Sequence, residues 1–231
     1  MLKNTQINRL AILSIAKALG ELNEQVVYVG GAVVSLYIDD PAAQVVRPTK
    51  DVDISLEIAS IGALENLRAD LIRKGFYQSA EDDIVCRFRY DDIKVDVMGT
   101  EAVGWAPANR WFLPGFSQRL AYELEELRIY ILPMPYYLAS KMEAFYDRGS
   151  TDPRTSHDFE DIVYLLNYTS DLKDQILAAE EDVRQYLIRG FTDILSDKTK
   201  QEAILGCLFY EDQSVRFDKI ISLLKEIIQD F

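Results

Sequence analysis

The chain has 231 residues, of which 48% are hydrophobic and 11% aromatic, so it can bury a sizeable core and does not have the composition of a disordered protein. Its 25 basic and 38 acidic residues give a net charge of −13, which disfavours sequence-independent binding along a nucleic-acid backbone. Its apolar runs are too short to span a membrane and its first residues contain no signal-peptide core, so we expect a cytoplasmic protein without membrane contact.

The first elements are predicted to be a helix, a strand and a glycine turn. Apolar residues recur at helical spacing between 7 and 20. The short stretch 26–29 is rich in β-branched residues and predicts a strand that stops at Gly30-Gly31. The residues that follow, 32–37, are predicted to begin a helix.

Further strands follow in the first half of the chain. Residues 84–90 and 93–98 flank Asp91-Asp92, an acidic pair that suits a hairpin turn. The predicted elements of this part are strands at 52–56, 84–90, 93–98 and 127–132 and an amphipathic helix at 61–74. The stretch 99–116 has no clear periodicity and is expected to form a loop.

Beyond Pro133 the pattern is helical to the end of the chain. The predicted helices are 134–148, 156–167, 171–189 and 212–229. We therefore expect an α+β fold, with a mixed-sheet core flanked by helices over residues 1–132 and a helical domain over residues 133–231.

Three aspartates are predicted to meet on one face of the sheet. A period of two places Asp51 and Asp53 on the face opposite their apolar neighbours. Asp96 lies between Val95 and Val97, so its side chain also points away from the core. Like charges so close together cost free energy unless a cation or a basic group lies between them, and a divalent ion is the simplest interpretation. Mg²⁺ prefers carboxylate oxygens, and paired ions assist phosphoryl displacement.

The glycine turn predicts a site for phosphate groups. Gly30 and Gly31 lack Cβ atoms, so backbone N–H groups at the start of a helix can approach a triphosphate, and Ser35 offers a hydroxyl one turn later. Alone, a pair of aspartates is usually a solvated strand edge and a pair of glycines is usually a turn. Their combination in this order favours a catalytic site.

At these residues the sequence resembles the DNA polymerase β-like nucleotidyltransferase superfamily. The segment 47–53, Arg-Pro-Thr-Lys-Asp-Val-Asp, is similar to the RxTxDxD form of abortive-infection and type IV toxin–antitoxin nucleotidyltransferases. Residues 141–148 resemble the lysine-bearing helix of those proteins, and residues 156–161 resemble their acidic helix. The resemblance covers roughly residues 26 to 167.

This resemblance implies roles for the site residues. Asp51, Asp53 and Asp96 would bind two Mg²⁺ ions, and Asp96 would also activate the acceptor hydroxyl. Lys141 would contact the phosphates with the support of Arg148, while the helical domain would close the nucleotide cleft. The implied nucleotide-binding residues are Gly30, Gly31, Ser35, Lys50, Lys141, Arg148 and Asp158, with Asp161 on the same helical face as Asp158.

The resemblance leaves the reaction partners open. The donor would be a nucleoside triphosphate, and the acceptor could be a tRNA 3′ end, a protein side chain or a small molecule. The protein would be the toxin of a toxin–antitoxin pair if that part of the resemblance holds, with an antitoxin as its partner. The alternatives are a nucleotide-binding module without turnover and a structural adaptor.

A zinc site is not expected. Cys86 and Cys207 lie far apart without a Cys/His cluster, and the single histidine, His157, cannot complete a site with them by its spacing. Both cysteines are predicted to be reduced residues of the core.

Overall fold

The computed structural model describes residues 3–43, 46–49, 51–149 and 152–231. Lys50, predicted to bind nucleotide, lies outside the described residues. The chain divides into two compact units. The first consists of Met1–Ser35 and Gln44–Pro133, and the second of Leu36–Ala43 and Met134–Phe231.

A mixed sheet forms the centre of the first unit. In the part of the chain that is described, its strands are β1 (Val26–Val29), β2 (Asp51–Leu56), β3 (Arg87–Tyr90), β4 (Ile93–Gly99), β5 (Leu120–Leu124) and β6 (Leu127–Ile131). Their spatial order is β3-β4-β2-β1-β6-β5. β2 runs parallel to β4 and β1 runs parallel to β6, while the remaining pairs are antiparallel. The predicted α+β class with a mixed sheet is confirmed.

The helices of the first unit are α1 (Lys3–Leu19), α2 (Ile61–Arg73) and the short α3 (Phe112–Phe116), with 3₁₀ segments at Gly20–Gln25 and Gly31–Leu36. α1 begins earlier than predicted. Asn4 and Asn8 are polar, yet they lie on the packed face, where Asn4 donates a hydrogen bond to the carbonyl of Val46 at 3.1 Å. An apolar pattern alone therefore places the start of this helix too late.

One strand of the sheet was not predicted. In β5 only Leu124 is buried, and the other four residues are exposed or half-buried. The strand is held by its antiparallel backbone pairing with β6 at the edge of the sheet. The sequence does place Leu120, Tyr122 and Leu124 at alternate positions, but the run is short and Leu120 is 49% exposed, so this alternation marks no buried face.

The second unit is helical. Its helices are α4 (Met134–Ala144), α5 (His157–Tyr168), α6 (Leu172–Leu177), α7 (Glu181–Ser196), α8 (Lys198–Gly206) and α9 (Gln213–Gln229), with a 3₁₀ turn at Pro153–Thr155. α4 packs closely on α7, where a Cβ atom on Gly190 would overlap the side chain of Met142. None of the described helices is long and apolar enough to cross a membrane.

Two predicted helices of this unit differ in detail from the structure. The helix expected at 171–189 is broken between α6 and α7, where Arg184 donates hydrogen bonds to the carbonyls of Leu177 and Ala179 at 2.9 and 3.4 Å. The helix expected at 134–148 ends as α4, and the chain continues as a π-helical turn, Phe145–Gly149. Such turns inside helices are frequent at functional sites.

Candidate active site

The three aspartates predicted to form the site lie on one face of the sheet. Asp53 on β2 is in register with Asp96 on the neighbouring parallel strand β4, and Asp51 lies two residues before Asp53. On the opposite face, Val52 and Ile54 are fully buried. The apolar neighbours therefore anchor the strand in the core, and the alternation turns the carboxylates outward.

A guanidinium that the sequence analysis missed lies between two of these carboxylates. Arg87 on β3 donates hydrogen bonds from Nε to Asp96 Oδ1 at 2.7 Å and from Nη2 to Asp96 Oδ2 at 2.6 Å. The same Nη2 donates to Asp51 Oδ2 at 3.1 Å. Hydrogen bonding to Asp96 raises the pKa of Arg87 above its ordinary value, although burial opposes this.

The sequence contained a signal for this contact. A hairpin with its turn at Asp91-Asp92 pairs Tyr90 with Ile93 and, by counting back along both strands, sets residue 87 opposite residue 96. A basic residue opposite an acidic one across two strands is a stabilising pair. The predicted hairpin therefore already implied that Arg87 and Asp96 face each other.

The donor set has the chemistry of a magnesium site. Carboxylate oxygens on adjacent strands are the ligands that Mg²⁺ prefers. No group of three or more His, Cys, Asp or Glu side chains is arranged to hold a metal ion within residues 3–43, 46–49, 51–149 and 152–231. At the aspartates the bridging cation is instead Arg87. The three predicted Mg²⁺ ligands thus lie on one face of neighbouring strands, and the guanidinium of Arg87 contacts two of them.

Side chains from the segment before and within β2 fill the space beside the glycine turn. Gly30 has a φ of +70°, and a Cβ atom there would overlap the carboxylate of Asp53. A Cβ atom on Gly31 would overlap the guanidinium of Arg47. The two glycines are therefore required by close approach, and they bring the backbone of the turn directly against Asp53 and Arg47.

α1 fixes the segment that leads into β2. The side chain of Asn8, which is 1% exposed, accepts a hydrogen bond from the Thr49 N–H at 3.3 Å and donates one to the carbonyl of Arg47 at 3.4 Å. The Thr49 hydroxyl in turn donates to Asp51 Oδ1 at 2.8 Å. Asn8 is a buried polar residue of the packed helix face, and it sets the approach to the acidic cluster.

A helix does begin after the glycine turn, as predicted, but residues Gly31–Leu36 form a 3₁₀ helix and not an α-helix. Ser35 lies within it, buried, and its hydroxyl has no hydrogen-bond partner among the described residues. The predicted contact of Ser35 with phosphate stays a prediction.

Lys141 belongs to a buried cluster in the second unit. Its ammonium group on α4 lies 2.7 Å from Asp161 Oδ2 and 3.4 Å from Asp158 Oδ1, both on α5. The Lys141 side chain is 6% exposed. Burial tends to raise the pKa of Asp158, but the charges of Lys141 and Arg148 outweigh burial and lower it. The predicted pairing of Asp158 and Asp161 on one helical face is confirmed.

Arg148 has a different environment from Lys141. It extends from the π-helical turn and donates from Nε to Asp158 Oδ2 at 3.1 Å, while 73% of its side chain is exposed. The turn is anchored by the C-terminal helices, because the Tyr146 hydroxyl donates to Asp193 Oδ2 at 2.6 Å. Lys200 on α8 also pairs with Asp193, at 2.7 Å. Helices α7 and α8, for which the sequence suggested no role, therefore hold the π-helical turn in place.

The two cysteines and the histidine have different surroundings. Cys86 and Cys207 are free thiols, and burial raises the pKa of Cys86 to about 11 and that of Cys207 to about 12. The His157 side chain is 75% exposed and faces Glu160. Cys207 is only partly buried, so the prediction of two core cysteines holds fully for Cys86 alone.

Comparison with known families gives one match along most of the chain. The model of the AbiEii nucleotidyl transferase toxin family of the type IV toxin–antitoxin system matches residues 12–225. This range contains every predicted site residue of both units. No curated protein matches the sequence.

Two solved structures are similar in fold. One is an antigenic nucleotidyltransferase-like protein from Paracoccidioides brasiliensis, with 15% identity, a TM-score of 0.48, and coverage of 85% of this chain and 91% of that chain. The other is a candidate nucleotidyltransferase from H. pylori, with 12% identity, a TM-score of 0.48, and coverage of 100% and 97%. Similarity of this extent carries no information about substrates.

Proposed function

Since the chain belongs to the AbiEii family of nucleotidyltransferase toxins, we propose that it transfers a nucleoside monophosphate from a nucleoside triphosphate to an acceptor hydroxyl in a Mg²⁺-dependent reaction. The observation that supports this best is the placement of Asp51, Asp53 and Asp96 on one sheet face, with Asp53 directly against the Gly30 backbone. Carboxylates and a side-chain-free turn are thereby within reach of one triphosphate.

Asp51, Asp53 and Asp96 would hold the divalent ions. Bound there, Mg²⁺ would neutralise negative charge on the transferred and leaving phosphate oxygens. Asp96 is also our candidate for the group that accepts the proton of the acceptor hydroxyl. Each of its oxygens accepts one hydrogen bond from Arg87 and has a second lone pair with which it could accept that proton.

The triphosphate would lie at the glycine turn. The close approach of Asp53 to Gly30 would hold the metal-binding carboxylate beside the phosphates, and the guanidinium of Arg47 beside Gly31 supplies a positive charge at the same turn. Arginine is suited to this role because its planar fork can bind phosphate oxygens in pairs. Arg47 therefore joins Gly30 and Gly31 as a proposed phosphate-binding residue.

Lys141, Arg148 and Asp158 remain proposed nucleotide-binding residues of the helical unit. The exposed guanidinium of Arg148 is accessible to a phosphate group. Lys141 is buried between Asp158 and Asp161, which favours a role in fixing these carboxylates. The prediction that the helical unit closes the nucleotide cleft stays a prediction.

The acceptor is proposed only as a class. A hydroxyl of a tRNA 3′ end, of a protein or of a small molecule fits the reaction equally. With a net charge of −13, binding of tRNA would depend on a local basic surface. By its family the protein would act as a toxin and have an antitoxin as its partner.

Titration calorimetry tests this proposal without knowledge of the acceptor. Mg²⁺ with each of the four nucleoside triphosphates would be titrated into the intact protein, into Asp53→Asn and into the matched control Asp92→Asn, whose side chain lies in the exposed β3–β4 turn. We expect one or more triphosphates to bind the intact protein and the control but not Asp53→Asn. A nucleotide-binding module without turnover would give the same binding but would transfer no nucleotide when an acceptor is supplied. A structural adaptor would show no metal-dependent binding.

A further inference from the structure

We propose that Arg87 is a built-in counter-cation of the acidic site, which a divalent ion must displace from between Asp51 and Asp96 in order to bind. The inference rests on the proposed function, because it concerns the metal ions that this function requires. It adds a residue that controls when the metal binds.

The need for a counter-cation follows from the placement of the aspartates. Asp53 and Asp96 are directly in register on parallel strands, and Asp51 shares their face, so three negative charges lie on one face of two neighbouring strands. A cation that lies among them reduces their mutual repulsion. Arg87 meets this need, since its side chain is 12% exposed and it pairs with Asp51 and Asp96 at once.

The geometry makes the guanidinium a competitor of the metal. Nη2 of Arg87 contacts Asp51 Oδ2 at 3.1 Å and Asp96 Oδ2 at 2.6 Å, and so lies between these two oxygens. A Mg²⁺ ion would be held by the same carboxylates, Asp51 and Asp96, because carboxylate oxygens are ligands that it prefers. The nitrogen and the ion cannot occupy that place together. The contact with Asp51 is the longer and more exposed of the two, so it is the one that should open first.

The competition predicts how metal and nucleotide binding are related. An ion alone has to break the Arg87 contacts without offering the guanidinium a new anion. An ion that arrives with a triphosphate brings phosphate oxygens with which the released guanidinium can pair. The intact protein should therefore bind the divalent ion weakly alone and more tightly together with a triphosphate.

The test is metal binding without nucleotide, measured by calorimetry with Mg²⁺ and with Mn²⁺. Arg87→Gln keeps hydrogen-bonding capacity but removes the charge. Arg89→Gln is the matched control, because Arg89 lies on the same strand and pairs with Asp82 outside the acidic site. We expect Arg87→Gln to bind the ion roughly tenfold more tightly than the intact protein, and the control to stay within about twofold.

Thermal unfolding gives a second readout that does not depend on activity. Without metal, Arg87→Gln should melt at a lower temperature than the intact protein, because its carboxylates have lost their counter-cation. Added Mg²⁺ should raise its melting temperature by more than that of the intact protein. Arg87→Lys keeps the positive charge but loses the paired N–H donors of the guanidinium, so its melting temperature should lie between those of Arg87→Gln and the intact protein. If Arg87→Gln does not fold, the same comparison is made with Arg87→Lys.

The outcomes separate this inference from the proposed function. If the intact protein binds metal with a triphosphate but Arg87→Gln and Arg87→Lys bind the ion alone no more tightly than it does, the Arg87 inference is overturned and the proposed function stands. If neither the intact protein nor the variants bind a divalent ion with or without a triphosphate, both are overturned.

Discussion

Replacement of Lys141 by methionine should strongly destabilise the helical unit. The lysine side chain is 6% exposed and pairs with Asp161, which is 1% exposed, and with Asp158, which is 7% exposed. Loss of one partner from a buried ion pair costs about 3 to 5 kcal/mol, because the other charge remains buried. Asp158 keeps its pair with Arg148, so we expect a loss near the lower end, about 3 kcal/mol.

Urea unfolding of the metal-free protein measures this loss. The control is Arg148→Met, which removes a charge from the same cluster but from a side chain that is 73% exposed. It should cost less than about 1 kcal/mol, as exposed pairs contribute little. The double variant Lys141→Met/Asp161→Leu should recover much of the loss, since no buried charge is then left without its partner.

The pH dependence provides a check on the cause. In the intact protein the pKa of Asp158 is lowered, so its contribution to stability is present above the ordinary pKa and is lost as pH falls through the lowered one. In Lys141→Met, burial without the ammonium favours protonated carboxyls, so the difference in stability should shrink on acidification from about pH 7 to about pH 5. A loss below 1 kcal/mol, or one that does not change with pH, would refute the reasoning.

Two further substitutions test the first unit. Gly30→Ala adds a Cβ atom at a φ of +70°, where it overlaps the Asp53 carboxylate. The free energy of unfolding should therefore fall by more than about 1 kcal/mol, and metal-dependent triphosphate binding should be lost in calorimetry. Unchanged binding would contradict the close packing of the turn against the carboxylate. Asn8→Ala removes the two hydrogen bonds that hold the segment before β2. Urea unfolding should show a loss of stability of about 1 to 2 kcal/mol, and calorimetry should show a weaker affinity for the triphosphate. Full affinity would show that α1 does not position the site.

The sequence predicted the acidic face because strand alternation is a local property. Val52 and Ile54 need the core, so Asp51 and Asp53 must point away from it, and the same argument holds for Asp96. The hairpin between β3 and β4 was equally local, and it implied the pairing of Arg87 with Asp96 that the sequence analysis left out.

Other features depend on contacts between distant parts of the chain and could not be predicted. Arg47 lies against Gly31 because Asn8, a residue of α1, holds the segment in place. The break before α7 is instead a local feature: it contains neither glycine nor proline, and Arg184 donates a hydrogen bond to the carbonyl of Leu177 across it, so no ordinary helix-breaking residue marks it in the sequence. The π-helical turn after α4 is fixed by Asp193, far along the chain.

The most direct test of the central claim is transfer of label from α-labelled nucleoside triphosphates in the presence of Mg²⁺. Reactions with a cell extract would be resolved into RNA, protein and small molecules, with the intact protein, Asp53→Asn and the Asp92→Asn control side by side. We predict that the intact protein and the control label one of these fractions and that Asp53→Asn labels none. Absence of labelling with all four triphosphates, or labelling by Asp53→Asn equal to that by the intact protein, would contradict the account.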